Sequence, residues 1–126
     1  MSKFSIKERI KSFKYAFEGI FTLLKSEHNA WIHLVATILV VSAGFIFEIN
    51  RFEWMIIVAC IASVFALEAI NTAIEKLADV VQPEKDDRIK RVKDLAAGAV
   101  LIAAIASVFV ACLIFIPKIC CCGTSC

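Results

Sequence analysis

The chain has 126 residues, 60% of them hydrophobic and 21% charged, with a mean hydropathy of +0.81. Soluble domains run about 45–50% apolar, so a disordered chain is excluded, an ordinary soluble domain is disfavoured, and the apolar residues must be gathered in blocks. A net charge of +2 is too small to argue for a nucleic-acid partner.

A helix needs about 20 residues to cross a bilayer. Three crossings with their connections would use nearly the whole chain, so any active site has to sit on the membrane helices themselves. Residues 1–29 hold six basic residues (Lys3, Lys7, Arg9, Lys11, Lys14, Lys25) and no long apolar run, which argues against a cleavable signal peptide. Phe4, Ile6, Ile10, Phe13, Phe17, Ile20, Phe21 and Leu24 fall at helical spacing on one face. Ser5 with Glu8 three residues on fits a capping box. A helix packed on a soluble core would show the same pattern, but membrane spans follow at once, and the pattern predicts an amphipathic helix lying in the lipid interface.

The first span is predicted over residues 30–47, with no formal charge between Glu27 and Glu48. After the connector 48–53, Trp54 opens an apolar run to Leu67 whose helical pattern continues through Asp79 until Pro83 ends it, giving a second span over 54–75. The third, 95–116, has 22 residues without a charge and is expected to stop at Pro117. It carries Ala96, Ala97, Gly98, Ala99, Ala103, Ala104 and Ala106, small side chains that let helices approach closely in lipid. Residues 118–126 remain as a tail. Lys and Arg number six in 1–29 and six in 76–94, against Arg51 and Lys118 on the other side. That asymmetry predicts a cytoplasmic N-terminus and a C-terminus outside the inner membrane.

Glu68, Asn71, Glu75 and Asp79 are spaced to share one helical face. At a rise of about 1.5 Å per residue, Glu68 lies about 21 Å from Trp54, inside a hydrocarbon core about 30 Å thick. An ionisable residue at that depth costs at least a few kcal/mol and points to function. The plainer alternative is that Glu68 only pairs with a polar side chain to hold helices together. Carboxylates with an amide oxygen suit Mg²⁺, which also bridges to substrate phosphates. A carboxylate in low dielectric has its charged form disfavoured, which makes Glu68 a candidate general base for a hydroxyl presented from the lipid. Glu27 precedes the first span and Lys93-Asp94 the third, at the same membrane level, and a cation beside carboxylates is what phosphoryl transfer requires. There is no Gly-rich phosphate loop, no soluble-kinase catalytic loop and no zinc motif.

Four stretches resemble the bacterial integral-membrane diacylglycerol kinase family, which includes the undecaprenol kinases of Gram-positive bacteria. They are Ser12-Phe-Lys-Tyr15-Ala-Phe-Glu-Gly19-Ile, Glu27-His-Asn29-Ala-Trp-Ile-His33, Glu68-Ala-Ile-Asn71-Thr-Ala-Ile-Glu75 through Asp79, and Lys93-Asp94-Leu-Ala-Ala-Gly98-Ala-Val. The Glu-x-x-Asn-x-Ala-x-Glu-x-x-x-Asp pattern is highly specific for that family. The resemblance implies a homotrimer of three-span subunits, each with an amphipathic surface helix, that transfers the γ-phosphate of ATP to a lipid alcohol with Mg²⁺. It implies Glu68 as base supported by Asn71, and Glu27 and Glu75 as Mg²⁺ ligands. Lys93 and Asp94 would lie near the nucleotide phosphates, with Tyr15, Asp79 and Glu84 as further nucleotide contacts, and Arg9 matches a nucleotide-contacting Arg after a one-residue shift. The lipid hydroxyl would meet Glu68 and His33.

Trp31 stands where the family often carries Arg. Ala96 stands where the diacylglycerol type has Gly, with Gly98 two residues later. That spacing and the Glu-x-Asn-x-x-Ile-His stretch are more similar to the undecaprenol branch.

His28 and His33 do not share a helix face, which argues against a two-His metal site and for interfacial hydrogen bonding. Cys60 and Cys112 read as small buried apolar residues. Cys120, Cys121, Cys122 and Cys126 crowd the tail, which is expected to be frayed and non-functional rather than a disulfide or soft-metal site. Two other classes compete with a kinase. A proton- or cation-coupled transporter would also place carboxylates in the membrane but leaves Lys93-Asp94 unexplained, and a non-catalytic assembly subunit would tolerate substitution along the whole stripe.

Overall fold

The computed structural model describes residues 5–123 and is all-helical over them. Its elements are α1 (Ile6–Ser26), α2 (His28–Ile46), α3 (Arg51–Val81) and α4 (Asp87–Gly123). Of these, α2, α3 and α4 are long and apolar enough to cross a membrane. Phe4, Cys126 and the side chain of Cys122 lie outside the described residues.

Local chemistry sets the boundaries. Ser5 caps α1, its hydroxyl accepting from the Glu8 backbone N–H at 3.4 Å. The chain turns at one residue, Glu27, whose extended backbone ends α1 and starts α2. A carboxylate at a helix N-terminus is favoured by the helix dipole, and that of Glu27 makes no capping bond of its own. Between α2 and α3, Glu48 takes a left-handed φ of 51°. Asn50 and Glu53 then close a capping box: the Glu53 N–H donates to Asn50 Oδ1 at 2.8 Å and the Asn50 N–H to Glu53 Oε1 at 3.1 Å. Gly44 is needed here for close approach, because a β-carbon on it would fall 2.6 Å from the Trp54 ring.

The main interface is between α3 and α4, with α2 laid against α3 and α1 touching α2 and α3. The buried apolar cluster, Ile49, Ile57, Ile114 and Phe115, sits at the α2–α3 turn, the end of the bundle away from the carboxylate stripe. Most large apolar side chains on the outside of α2, α3 and α4 are exposed, a surface that in water would be unfavourable and in lipid is not. With 31 residues, α3 is about 46 Å long at about 1.5 Å per residue. It therefore overruns a hydrocarbon core about 30 Å thick, and its last turns emerge from it.

Two expectations fail at the C-terminal end. The helix does not stop at Pro117: α4 passes through it to Gly123. Residues 118–123 are accordingly the last turns of a helix, not a frayed tail. Proline deletes one intrahelical bond and crowds the preceding turn, and a membrane helix can re-satisfy the freed group locally. The extension is also held, because Lys118 Nζ lies 3.2 Å from Glu53 Oε1 on the first turn of α3. At its other end α4 begins at Asp87 rather than at Leu95. Asp86 accepts from the Arg88 N–H at 2.9 Å and from its guanidinium at 2.8 Å, which supports the first turn in water.

Candidate active site

The unbroken course of α3 puts Glu68, Asn71, Glu75 and Asp79 along one stripe, and their burial falls steadily along it. Glu68 is 1% exposed, Asn71 is buried, Glu75 is half-buried and Asp79 is exposed. Glu68 is thus the deep end of a polar track whose shallow end reaches water. Asn71 Nδ2 donates to Glu75 Oε1 at 3.4 Å, joining two of its members. His33, from α2, brings Nε2 to 3.6 Å from Glu68 Oε2.

Three buried polar atoms here have no hydrogen-bond partner: Glu68 Oε1, Asn71 Oδ1 and Thr72 Oγ1. Native proteins seldom leave such groups unpaired, and each unpaired group costs on the order of 1–3 kcal/mol. All three lie within five consecutive residues of α3, where donors or a cation from outside the chain would satisfy them. Asn71 and Glu75, joined by their hydrogen bond, offer oxygen donors of the kind Mg²⁺ takes. Among the described residues, however, no group of three or more His, Cys, Asp or Glu is arranged to hold a metal unaided. A metal at this place would need ligands from a substrate, as Mg²⁺ commonly does.

Where α3 and α4 leave the bundle, the connector encloses an open hollow of about 450 Å³ lined by Asp79, Glu84, Asp86, Lys90, Lys93 and Asp94, among others. Lys93 Nζ donates to Asp79 Oδ1 at 2.5 Å, tying the ends of α3 and α4 together, while Lys90 Nζ donates to Asp94 Oδ2 at 2.8 Å. Four residues singled out in the sequence (Asp79, Glu84, Lys93, Asp94) therefore meet around one polar hollow. Arg9 and Tyr15 do not line it; they lie on α1, with Tyr15 largely exposed. His28 and Trp31 are exposed at the start of α2, while His33 is turned inward.

Sequence reasoning missed Thr72, Lys90 and Phe65. Thr72 sits four residues after Glu68, and Lys90 four before Asp94, spacings that share a helix face. Phe65 meets His33 edge-on, with ring centroids 6.3 Å apart, one turn before Glu68.

The profile of prokaryotic diacylglycerol kinases matches residues 14–115, which takes in the polar track, both carboxylate-bearing corners and the Lys93-Asp94 pair. The chain belongs to the prokaryotic diacylglycerol kinase family. It is a lipid kinase. Among its relatives, the undecaprenol kinase of Bacillus subtilis is 40% identical over 109 residues, covering 86% of this chain and 89% of that one. The diacylglycerol kinase of Synechocystis is 30% identical over 109 residues, covering 86% of this chain and 62% of that one. The diacylglycerol kinase of Helicobacter pylori strain 26695 is 32% identical over 114 residues, covering 83% and 88%.

Proposed function

We propose that this kinase transfers the γ-phosphoryl group of ATP, with Mg²⁺, to the hydroxyl of a membrane lipid alcohol, undecaprenol ahead of diacylglycerol. The observation that carries the reading is the graded polar track on α3. A carboxylate buried at membrane depth, Glu68, has one oxygen without a partner and stands at the head of side chains that lead out to a water-facing hollow. A lipid hydroxyl can reach the buried end from the bilayer and a nucleotide the exposed end from water, and group transfer between the two phases requires that division. Glu68 accepts the hydroxyl proton, Asn71 supports it, Glu27 and Glu75 hold Mg²⁺, and Lys93, Asp94, Asp79 and Glu84 attend the nucleotide. Arg9 and Tyr15 on α1 complete the nucleotide side, and His33 stands beside Glu68 on the lipid side.

The preference for undecaprenol rests on 40% identity to a kinase named for it, against 30% and 32% to diacylglycerol kinases. Phosphoryl transfer needs charge stabilisation more than covalent chemistry, and Mg²⁺ held by the paired acids, with a nearby lysine, would supply it. The chain works as a homotrimer in the cell inner membrane, with α1 in the lipid interface, the N-terminus cytoplasmic and the C-terminus outside. Its exposed apolar flanks and its unpartnered polar atoms support assembly, since a lone subunit leaves both unmet. The transporter reading finds no support in the family match. The test is purified protein in mixed micelles with labelled ATP, Mg²⁺ and either alcohol, products separated by chromatography. Labelled undecaprenyl phosphate is the expected product. Labelled phosphatidic acid alone would reassign the substrate, and label in neither lipid would overturn the reading.

A further inference from the structure

Glu68 has two oxygens in different situations. Oε2 faces His33 Nε2 at 3.6 Å, and Oε1 faces no partner. The imidazole is held for that encounter from several sides. Its side chain is 19% exposed, and its ring stands edge-on to Phe65 at an interplanar angle of 74°. Its own turn of α2 is tightened by Thr37 Oγ1, which donates to the His33 carbonyl at 2.7 Å. Phe65 and Glu68 are one turn apart on α3, so that helix presents an aromatic edge and a carboxylate to the same ring. His33 also lines the apolar cavity of about 140 Å³ between α2, α3 and α4, together with Ala36, Ile61, Val64 and Ser107. The imidazole therefore borders both the carboxylate and a lipid-like space.

We infer that His33 is a positioning residue for Glu68. Its Nε2–H engages Oε2 and turns the carboxylate so that Oε1 meets the acceptor hydroxyl. The gap of 3.6 Å is too long for a hydrogen bond in the free enzyme, and such contacts tighten when substrate binds. This rests on the lipid-kinase reading given above and adds to it a division of labour between the two oxygens. In the transfer step the hydroxyl oxygen forms a bond to the γ-phosphorus while the bond from that phosphorus to the ADP oxygen breaks. The hydroxyl proton passes to Glu68 Oε1. His33 keeps its proton throughout and touches neither substrate. An imidazole that orients a carboxylate by one ring N–H fixes its own tautomer in doing so.

The experiment is a double-mutant cycle on the purified enzyme in mixed micelles, reading kcat and the KM for ATP and for lipid separately. His33→Phe keeps a ring against Phe65 and removes the donor. It is expected to lower kcat on the order of 10–100-fold with the KM for ATP unchanged. His33→Gln restores an N–H near the Nε2 position and is expected to recover most of that loss. In a Glu68→Gln background His33→Phe is expected to cost nothing further, because the group it positions is gone. Losses that multiply in the double variant, or a His33→Phe enzyme within about threefold of wild type, overturn the inference. Equal losses in the Phe and Gln variants overturn it as well, since they would make the ring a packing element only. Should His33→Phe fail to fold, His33→Leu takes its place in the same cycle. A wild-type enzyme that labels no lipid at all would instead sink the proposed function, and the two failures are distinct.

Discussion

Replacing Glu68 by Gln separates a chemical role from a structural one. The substitution keeps the side chain's shape and its capacity to face His33, and removes one negative charge from a position that is 1% exposed. Glu68 lies 17 residues into α3, about 25 Å along its axis at about 1.5 Å per residue, so the charge sits within hydrocarbon about 30 Å thick. Burying an ionised group is expensive and a neutral isostere is often tolerated or stabilising. The variant is therefore expected to fold, assemble and melt as wild type does. The rate should fall by the share a general base supplies, about 10²- to 10⁴-fold, which is about 3–5 kcal/mol of activation free energy. Phosphate transfer from labelled ATP reads the rate, and binding of a fluorescent ATP analogue reads nucleotide affinity, which is expected to hold. A variant with kcat within about threefold of wild type, a difference of less than 1 kcal/mol, would refute the assignment of Glu68 as base.

Other consequences are open to measurement. Glu75→Gln should raise the Mg²⁺ concentration needed for half-maximal transfer on the order of tenfold or more with assembly unchanged by size-exclusion chromatography; unaltered Mg²⁺ dependence would remove Glu75 from the metal site. Gly44→Val places a side chain where the first carbon already lies 2.6 Å from Trp54, and overpacking of this kind costs about 1–3 kcal/mol. A thermal melt in detergent should show the loss, and an unchanged midpoint would mean the α2–α3 corner is looser than described. The Arg88 side chain and backbone N–H hold the Asp86 carboxyl down at about 2. A depressed carboxyl contributes stability that is complete above its ordinary value near 4 and lost only as pH falls toward about 2. The start of α4 should accordingly be indifferent to pH between 8 and 5, and an NMR titration of Asp86 with a midpoint at or above 4 would contradict the contact.

The helices were legible from local signals. The period of the apolar residues, the absence of a breaker between Trp54 and Asp79, and Pro83 after Gln82 together describe α3, because each acts within a few residues along the chain. The corner at Glu27 was harder to see. It carries no Gly or Pro, and the chain bends there because α2 must lie on α3, a requirement no local window contains. Pro117 misled for the opposite reason: its local cost is real, but Lys118 on Glu53 and a lipid-facing surface let the helix continue. The shared face of Glu68, Asn71, Glu75 and Asp79 could be read from spacing alone. Their descending exposure could not, since it depends on what covers each of them.

From its sequence alone, the chain determined its helices and the faces those helices present, consequences of backbone period and of the transfer of side chains between water and lipid. Only the tertiary structure decided that His33 of α2 stands against Glu68 of α3 and that Lys93 closes on Asp79. Those meetings depend on the register between helices. Register is set by many side chains packing at once around Gly44, Trp54 and the Ile57–Ile114 cluster, and no stretch of sequence holds that sum.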